Sequence, residues 1–370
     1  LCADAHELGM KIVLDGVFSH VGSRSPYFQS AIADPNSPYR SWFQFKHYPD
    51  VYESWWGITT LPCIDKTNAD YMRFIMDSDD CVLAHWLRLG ADGYRLDVVD
   101  ELPDAFLARL RERLRELKPD AILIGEVWED ASNKVAYGVR RRYFTARQLD
   151  SVMNYPWQKA ILRYVRGEDG GEALGERIMT IAENYPPDVL HAVMNILSTH
   201  DTPRALTALI DPTDGDRADL AQRHMDAPTR EWALHLLRMA AFLQFTLPGA
   251  PCIYYGDEAG MDGYRDPFNR KYFPWGREDE ALQAFYASLA QLKREAPALR
   301  RGDVTVLEAG NGRLLFLRRS ETQTLAVCCN RSAQPWRLPS GGRLRLGGGL
   351  LECTEDFVVL GGCGYCVIER

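Results

Sequence analysis

Short apolar runs that end in a polar or acidic residue alternate with helix-period segments along most of the chain, and that alternation predicts repeated βα units. Residues 11–14, 93–98, 121–125, about 149–153, 192–197 and 251–255 read as strands. Helical periodicity covers 69–89. A second helix spans 103–117, with Pro103 at its first position, an apolar stripe of Phe106, Leu107, Leu110, Leu114 and Leu117, and Pro119 preventing continuation. Segments 232–247 and 280–296 read as further helices, and a long loop or subdomain runs from 16 to about 68. Beyond residue 301 the period shortens: runs such as 314–317, 325–327 and 357–360, separated by Gly, Asn and Pro turns, predict a C-terminal antiparallel β domain over 301–370, of β-sandwich type.

Repeated βα units imply an α/β fold with a parallel sheet and right-handed crossovers, either an open doubly wound sheet or a closed barrel. No glycine-rich phosphate-binding fingerprint follows any strand, which removes the usual reason for an open nucleotide-binding sheet. Candidate groups at several strand ends favour the barrel, where such groups converge on one face. Six strands are visible where a (β/α)8 barrel needs eight. Leu1 opens inside a helical pattern, so the expectation is an incomplete barrel over 1–300 that lacks its first two strands and shows strands 3 to 8.

The strand ends carry the candidate chemistry. Gly93-Tyr94-Arg95-Leu96-Asp97 is followed by Ile122-Leu123-Ile124-Gly125-Glu126 and later by Ser198-Thr199-His200-Asp201. Side chains alternate along a strand, so Arg95 and Asp97 point the same way, and a guanidinium beside a carboxylate favours its ionised form. Glu126 ends a more apolar run, so desolvation and nearby negative charge favour its protonated form. An ionised carboxylate and a protonated one are the minimum set for glycoside hydrolysis. One acidic residue after a strand is ordinarily the polar start of a solvated loop; three of them at ends of βα units, two with a flanking Arg or His, are not explained that way.

Composition narrows the partners. With 370 residues, 46% hydrophobic and 25% charged, the chain suits a soluble globular protein, and a net charge of -8 without a basic run argues against nucleic acid and anionic membranes. The most apolar segment, 232–247, is shorter than a bilayer span. Nine scattered cysteines, an odd number, favour reduced thiols and a cytoplasmic setting. Cys363 and Cys366 form a C-x-x-C without a second ligand pair, so buried thiols are expected there rather than zinc.

Asp15-Gly16-Val17-Phe18-Ser19-His20, Gly93-Tyr94-Arg95-Leu96-Asp97, Gly125-Glu126-Val127-Trp128 and Ser198-Thr199-His200-Asp201 resemble, in order, four signature regions of the α-amylase family, glycoside hydrolase family 13. Residues 249–258 resemble its last barrel strand. The resemblance implies retention of the α configuration, with Asp97 as nucleophile, Glu126 as acid then base, and Asp201 as the carboxylate that stabilises the distorted sugar. Arg95, His20 and His200 map onto other active-site positions, and Trp128 and Glu101 onto substrate-binding ones. Residues 125–130 and the Asp100-Glu101 pair resemble the neopullulanase and cyclomaltodextrinase group, which implies α-1,4 and in some members α-1,6 cleavage of maltooligosaccharides, cyclodextrins, pullulan or starch. No cofactor is implied. Asp65 stands where a further signature of the family usually ends in Asn; Ser19 stands where many amylases carry an Asn that helps hold calcium, so a calcium cage is not supported.

Expected partners are an α-glucan substrate and a second copy of the chain as a homodimer. A transglycosylase or sugar isomerase uses the same covalent intermediate and is the nearest alternative; a non-catalytic binding or transporter-associated homologue would lack one of the carboxylates. Trp42, Phe43, Phe45, Tyr48, Tyr52, Trp55 and Trp56 crowd the long loop, where they either stack on sugar faces or form the loop's own core. Arg204, Asp257 and Glu258 lie near strand ends, with solvated or structural roles expected.

Overall fold

Six short parallel strands carry the βα part of the chain. They appear in a computed structural model that describes residues 1–370 and separates into two compact units, Leu1–Met153 and Asn154–Arg370. The first unit contains β1 (Val13–Gly16), a hairpin of β2 (Phe45–His47) and β3 (Val51–Tyr52), β4 (Gly93–Leu96), β5 (Ile122–Gly125), a hairpin of β6 (Val135–Ala136) and β7 (Val139–Arg140), and β8 (Ser151–Val152). Its main sheet runs β1-β4-β5-β8, every pair parallel. Tyr94 and Leu96 are buried, and the Tyr94 hydroxyl donates to Leu83 O of the helix Val82–Arg88 at 3.2 Å. Alternation then turns Arg95 to the other side of the sheet.

The helix predicted over 103–117 is present as Asp104–Leu117, with Pro103 just before it rather than in its first turn, and it buries Phe106, Leu107, Leu110, Arg111 and Leu114. The single helix expected over 69–89 is instead two, Ala69–Met72 continued by a wide turn to Asp77, then Val82–Arg88. Ser78 is extended and the Cys81 thiol accepts the Ala84 N–H, so a capped start replaces helical continuation. The long loop contains the helix Pro26–Ala33 and an aromatic core: Trp42 and Phe43 are buried, and Phe28 packs on Phe43 at 4.9 Å and on Tyr52 at 4.7 Å.

The second unit holds β9 (Met194–Asn195) and β10 (Ala250–Pro251), paired in parallel, then β11 (Asp303–Gly310), β12 (Arg313–Arg319), β13 (Thr324–Asn330), β14 (Trp336–Pro339), β15 (Arg343–Cys353) and β16 (Phe357–Glu369) in one antiparallel sheet. The strand expected at 251–255 ends at Pro251, and residues 254–260 turn instead. Asn195, wholly buried, donates to Pro248 O at 2.6 Å and ties β9 to the end of the helix Ala227–Thr246. That helix buries the predicted apolar segment, and no helix is long and apolar enough to cross a membrane. Leu315, Leu317, Ala326, Cys328, Cys366 and Ile368 pack as one core in the antiparallel sheet. Arg318 is fully enclosed in the same unit and donates to the carbonyls of Thr246, Leu299 and Gly302, which spreads its charge over the ends of helices. All nine cysteines are free, Cys363 and Cys366 among the buried ones.

Close approach of β4 to β5 depends on Gly93, where an added Cβ would fall 2.1 Å from the Ile122 carbonyl oxygen. Gly93→Ala is therefore expected to destabilise the chain by about 2–3 kcal/mol, as overpacking against backbone does. A lower urea midpoint checks it; an unchanged midpoint would mean that the strands separate without cost.

Candidate active site

Strand register builds the site. Asp15 on β1 lies opposite Arg95 on β4, and Leu96 lies opposite Gly125 on β5. The ladder continues one residue further, because the Asp97 N–H donates to Gly16 O at 3.2 Å and the Glu126 N–H to Leu96 O at 3.1 Å. Asp97 and Glu126 thus leave adjacent strands at the same level, and adjacent strands lie roughly 4.8 Å apart. Arg95 joins the carboxylates: Nη1 donates to Asp15 Oδ1 and to Asp97 Oδ1, each at 2.8 Å. Its Nη2 lies 2.9 Å from Glu126 Oε2, off the line a hydrogen bond needs, so that contact is ionic.

Of the three acids, Glu126 is the most buried, its side chain 4% exposed against 19% for Asp97 and 51% for Asp15. Burial pushes its carboxyl above the usual glutamate range and the charge of Asp97 adds to this, while Arg95, the Val98 N–H and Trp128 pull the other way. The Val98 N–H donates to Oε2 at 2.8 Å and the Trp128 Nε1–H to Oε1 at 3.1 Å. Val98 makes its bond from a left-handed conformation, φ 39 and ψ 59. For a β-branched residue this costs on the order of 1–3 kcal/mol, and such strain gathers where a site needs it.

His20 lies in the field of Asp97 and Glu101, yet burial, the largest influence, holds its imidazole below the usual range. Its ring stacks on Trp55 at 5.4 Å and Trp55 on Trp56 at 4.7 Å; Trp56 is 74% exposed. The aromatic loop therefore divides, with Trp42 and Phe43 in its core and Trp56 open to solvent. Glu101 accepts a hydrogen bond from the Tyr137 hydroxyl on the β6–β7 turn. Ser19 is buried with its hydroxyl 2.9 Å from His20 Nδ1, and no three His, Cys, Asp or Glu side chains gather as ligands. These residues do not fit a calcium cage of six to eight oxygens.

Within the second unit, His200 Nε2 is 3.1 Å from Asp201 Oδ2, and Arg270 Nη2 is 3.5 Å from Asp201 Oδ1. Beside this pair, Asp257 accepts from the Ser198 hydroxyl and faces Arg204 at 3.5 Å. Arg204 is fully buried, its guanidinium 4.5 Å from the Tyr254 ring and 4.7 Å from the Tyr255 ring, and Asp257 is buried beside it, so both groups are structural rather than solvated. Burial pushes the Asp257 carboxyl up to about 7. Sequence reasoning did not single out Tyr137 or Arg270. Each meets its partner across tens of residues, and no local period marks either one.

Comparison with known proteins agrees with the signature regions. The family described as "Alpha amylase, catalytic domain" matches residues 1–300. An amylopullulanase of Thermoanaerobacter thermohydrosulfuricus is 35% identical over 360 residues, covering 86% of this chain and 23% of the relative. A cyclomaltodextrinase of Geobacillus thermopakistaniensis is 31% identical over 347 residues, covering 90% of this chain and 53% of the relative. The chain thus spans 23% and 53% of the length of these relatives. Among solved structures, the type III pullulan hydrolase from Thermococcus kodakarensis superposes with a TM-score of 0.84 at 28% identity, over 100% of this chain and 62% of that one.

The hydrogen bonds on Glu126 make a signed prediction. Trp128→Phe removes a donor to the charged form, so ionisation of Glu126 should move to still higher pH. The infrared carboxyl band that Glu126→Gln abolishes reports this titration. An unchanged titration, or a shift to lower pH, would mean that the Trp128 N–H does not stabilise the ionised Glu126.

Proposed function

The chain belongs to the α-amylase family, and from that membership and the carboxylates gathered by Arg95 we propose that it is a retaining α-glucoside hydrolase. Family and neighbours give the fold, a (β/α)8 barrel with a C-terminal antiparallel domain; the parallel strands are β1, β4, β5 and β8 in the first unit and β9 and β10 in the second, and β11–β16 form the antiparallel domain. We place the boundary between barrel and β domain at 300/301, where the family match ends. The substrates we propose are α-1,4-linked maltooligosaccharides, cyclodextrins and starch, together with the α-1,6 links of pullulan-type glucans; the names of the amylopullulanase and cyclomaltodextrinase relatives support this. The free cysteines support a cytoplasmic setting.

One observation carries the mechanism: a single guanidinium touches both Asp97 and Glu126 on neighbouring strands. Adjacent strands about 4.8 Å apart, with both side chains on one guanidinium, support the roughly 5–5.5 Å between carboxyls that double displacement uses. Arg95 occupies Oδ1 of Asp97, so Oδ2 is the oxygen that attacks the anomeric carbon. As the C1–O bond breaks, Glu126 gives its proton to the leaving oxygen. Oε2 accepts the Val98 N–H at 2.8 Å and faces Arg95, while Oε1 carries only the longer 3.1 Å bond from Trp128, so the proton is placed on Oε1. Glu126, now a carboxylate, next takes a proton from water while the water oxygen displaces Asp97 from C1, so the α configuration returns. Asp201, paired with His200, is the carboxylate we assign to the distorted sugar. His20, Trp128 and Glu101 are assigned to sugar hydroxyls and rings near the scissile bond.

Maltotriose should yield glucose and maltose, the first product carrying the α anomer by proton NMR; a β anomer would overturn the mechanism, and lengthened products would assign transfer in place of hydrolysis. Asp97→Asn should abolish turnover of every substrate, whereas Glu126→Gln should spare an α-maltosyl fluoride, whose leaving group needs no proton. Full activity of Glu126→Gln on maltotriose would remove Glu126 as the acid.

A further inference from the structure

The segment that follows Ser198 carries His200 and Asp201 without belonging to a strand or helix. Its internal bonds are short in reach: Thr202 Oγ1 accepts the Thr199 N–H at 2.9 Å, and Thr199 Oγ1 accepts the Asp201 N–H at 3.2 Å. These shape a turn but do not say where it sits. The fully buried Asn269 does. It lies within hydrogen-bond distance of three carbonyl oxygens of that one turn, at 2.8 Å from His200, 2.8 Å from Thr202 and 3.3 Å from Thr199. Three acceptors require a donor, so the atom facing them is the amide nitrogen. Asn269 is itself held, since its own carbonyl accepts the Tyr254 hydroxyl at 3.3 Å. The next residue, Arg270, reaches Asp201 Oδ1 at 3.5 Å.

We propose that Asn269 is a positioning residue for Asp201, its side-chain amide gathering the carbonyls of residues 199, 200 and 202 so that the Asp201 carboxylate is presented in one orientation. The inference rests on the assignment of Asp201 as the carboxylate that meets the distorted sugar. A carboxylate that acts mainly in the transition state is sensitive to placement: a misplacement of about 1 Å costs roughly 10²-fold in rate. Ground-state binding depends on many other contacts and is affected less.

The test is a mutant cycle on the whole chain, with maltotriose as substrate. Asn269→Ala and the nearly isosteric Asn269→Asp should each lower kcat by roughly 10²-fold with KM almost unchanged. In an Asp201→Asn background, whose residual activity is read on an α-maltosyl fluoride, they should add little, because both changes remove one effect. Losses that multiply in the double variant, or a rise in KM with kcat intact, would overturn the inference, as would Asn269 variants close to wild type beside a crippled Asp201→Asn. Should the Ala variant not fold, the Asp variant decides. An Asp201→Asn enzyme of near-normal activity would instead overturn the assignment of Asp201 itself, a result separable from the others.

Discussion

One guanidinium shared among three carboxyl groups is the contact on which the candidate site depends. Arg95 stands at the centre of the rim formed by β1, β4 and β5, with Asp15 and Asp97 on one nitrogen and Glu126 facing the other. Three acids around one cation cannot all be charged cheaply in a partly buried place. The proton therefore favours the most enclosed of them, Glu126, and burial is the largest cause of its raised carboxyl. The proposed division of labour between an acid and a nucleophile rests on that order of exposure along the rim.

Register makes that contact possible. Parallel pairing of Asp15 with Arg95, and of Leu96 with Gly125, brings all three acids to the same ends of adjacent strands. A slip of one residue would turn Arg95 toward the helix layer and scatter the acids. Gly93 lets β4 approach β5, and the strained Val98 turns its N–H onto Glu126 immediately after the nucleophile candidate.

Much of this was legible in the chain before any coordinates. Alternation in Gly93-Tyr94-Arg95-Leu96-Asp97 put Arg95 and Asp97 on one face, and four of the six parallel strands fall within the expected runs, while β1 overlaps its run at Val13 and Leu14 and β10 only at Pro251. Boundaries were less readable. Apolar periodicity continued through 69–89 although Ser78 and the Cys81 cap interrupt the helix, and Ile253-Tyr254-Tyr255 looked like strand although those rings instead flank Arg204 and anchor the 269–271 segment. Partners far apart in the chain were not legible at all. Asn269 meets residues 199–202 across about seventy positions, and Tyr137 meets Glu101 across 36, so nothing in the local pattern announces either pairing.

The mechanism we propose requires Asp97, oriented by Arg95, to form a covalent bond to the sugar. Mass spectrometry of the chain after reaction with a slow-turnover 5-fluoro-α-glucosyl fluoride tests it most directly. One added glycosyl group per chain is expected, mapped to the peptide containing Asp97 and absent from Asp97→Asn. A label on another carboxylate, or steady turnover of the reagent to a β-configured product with no adduct, would contradict it.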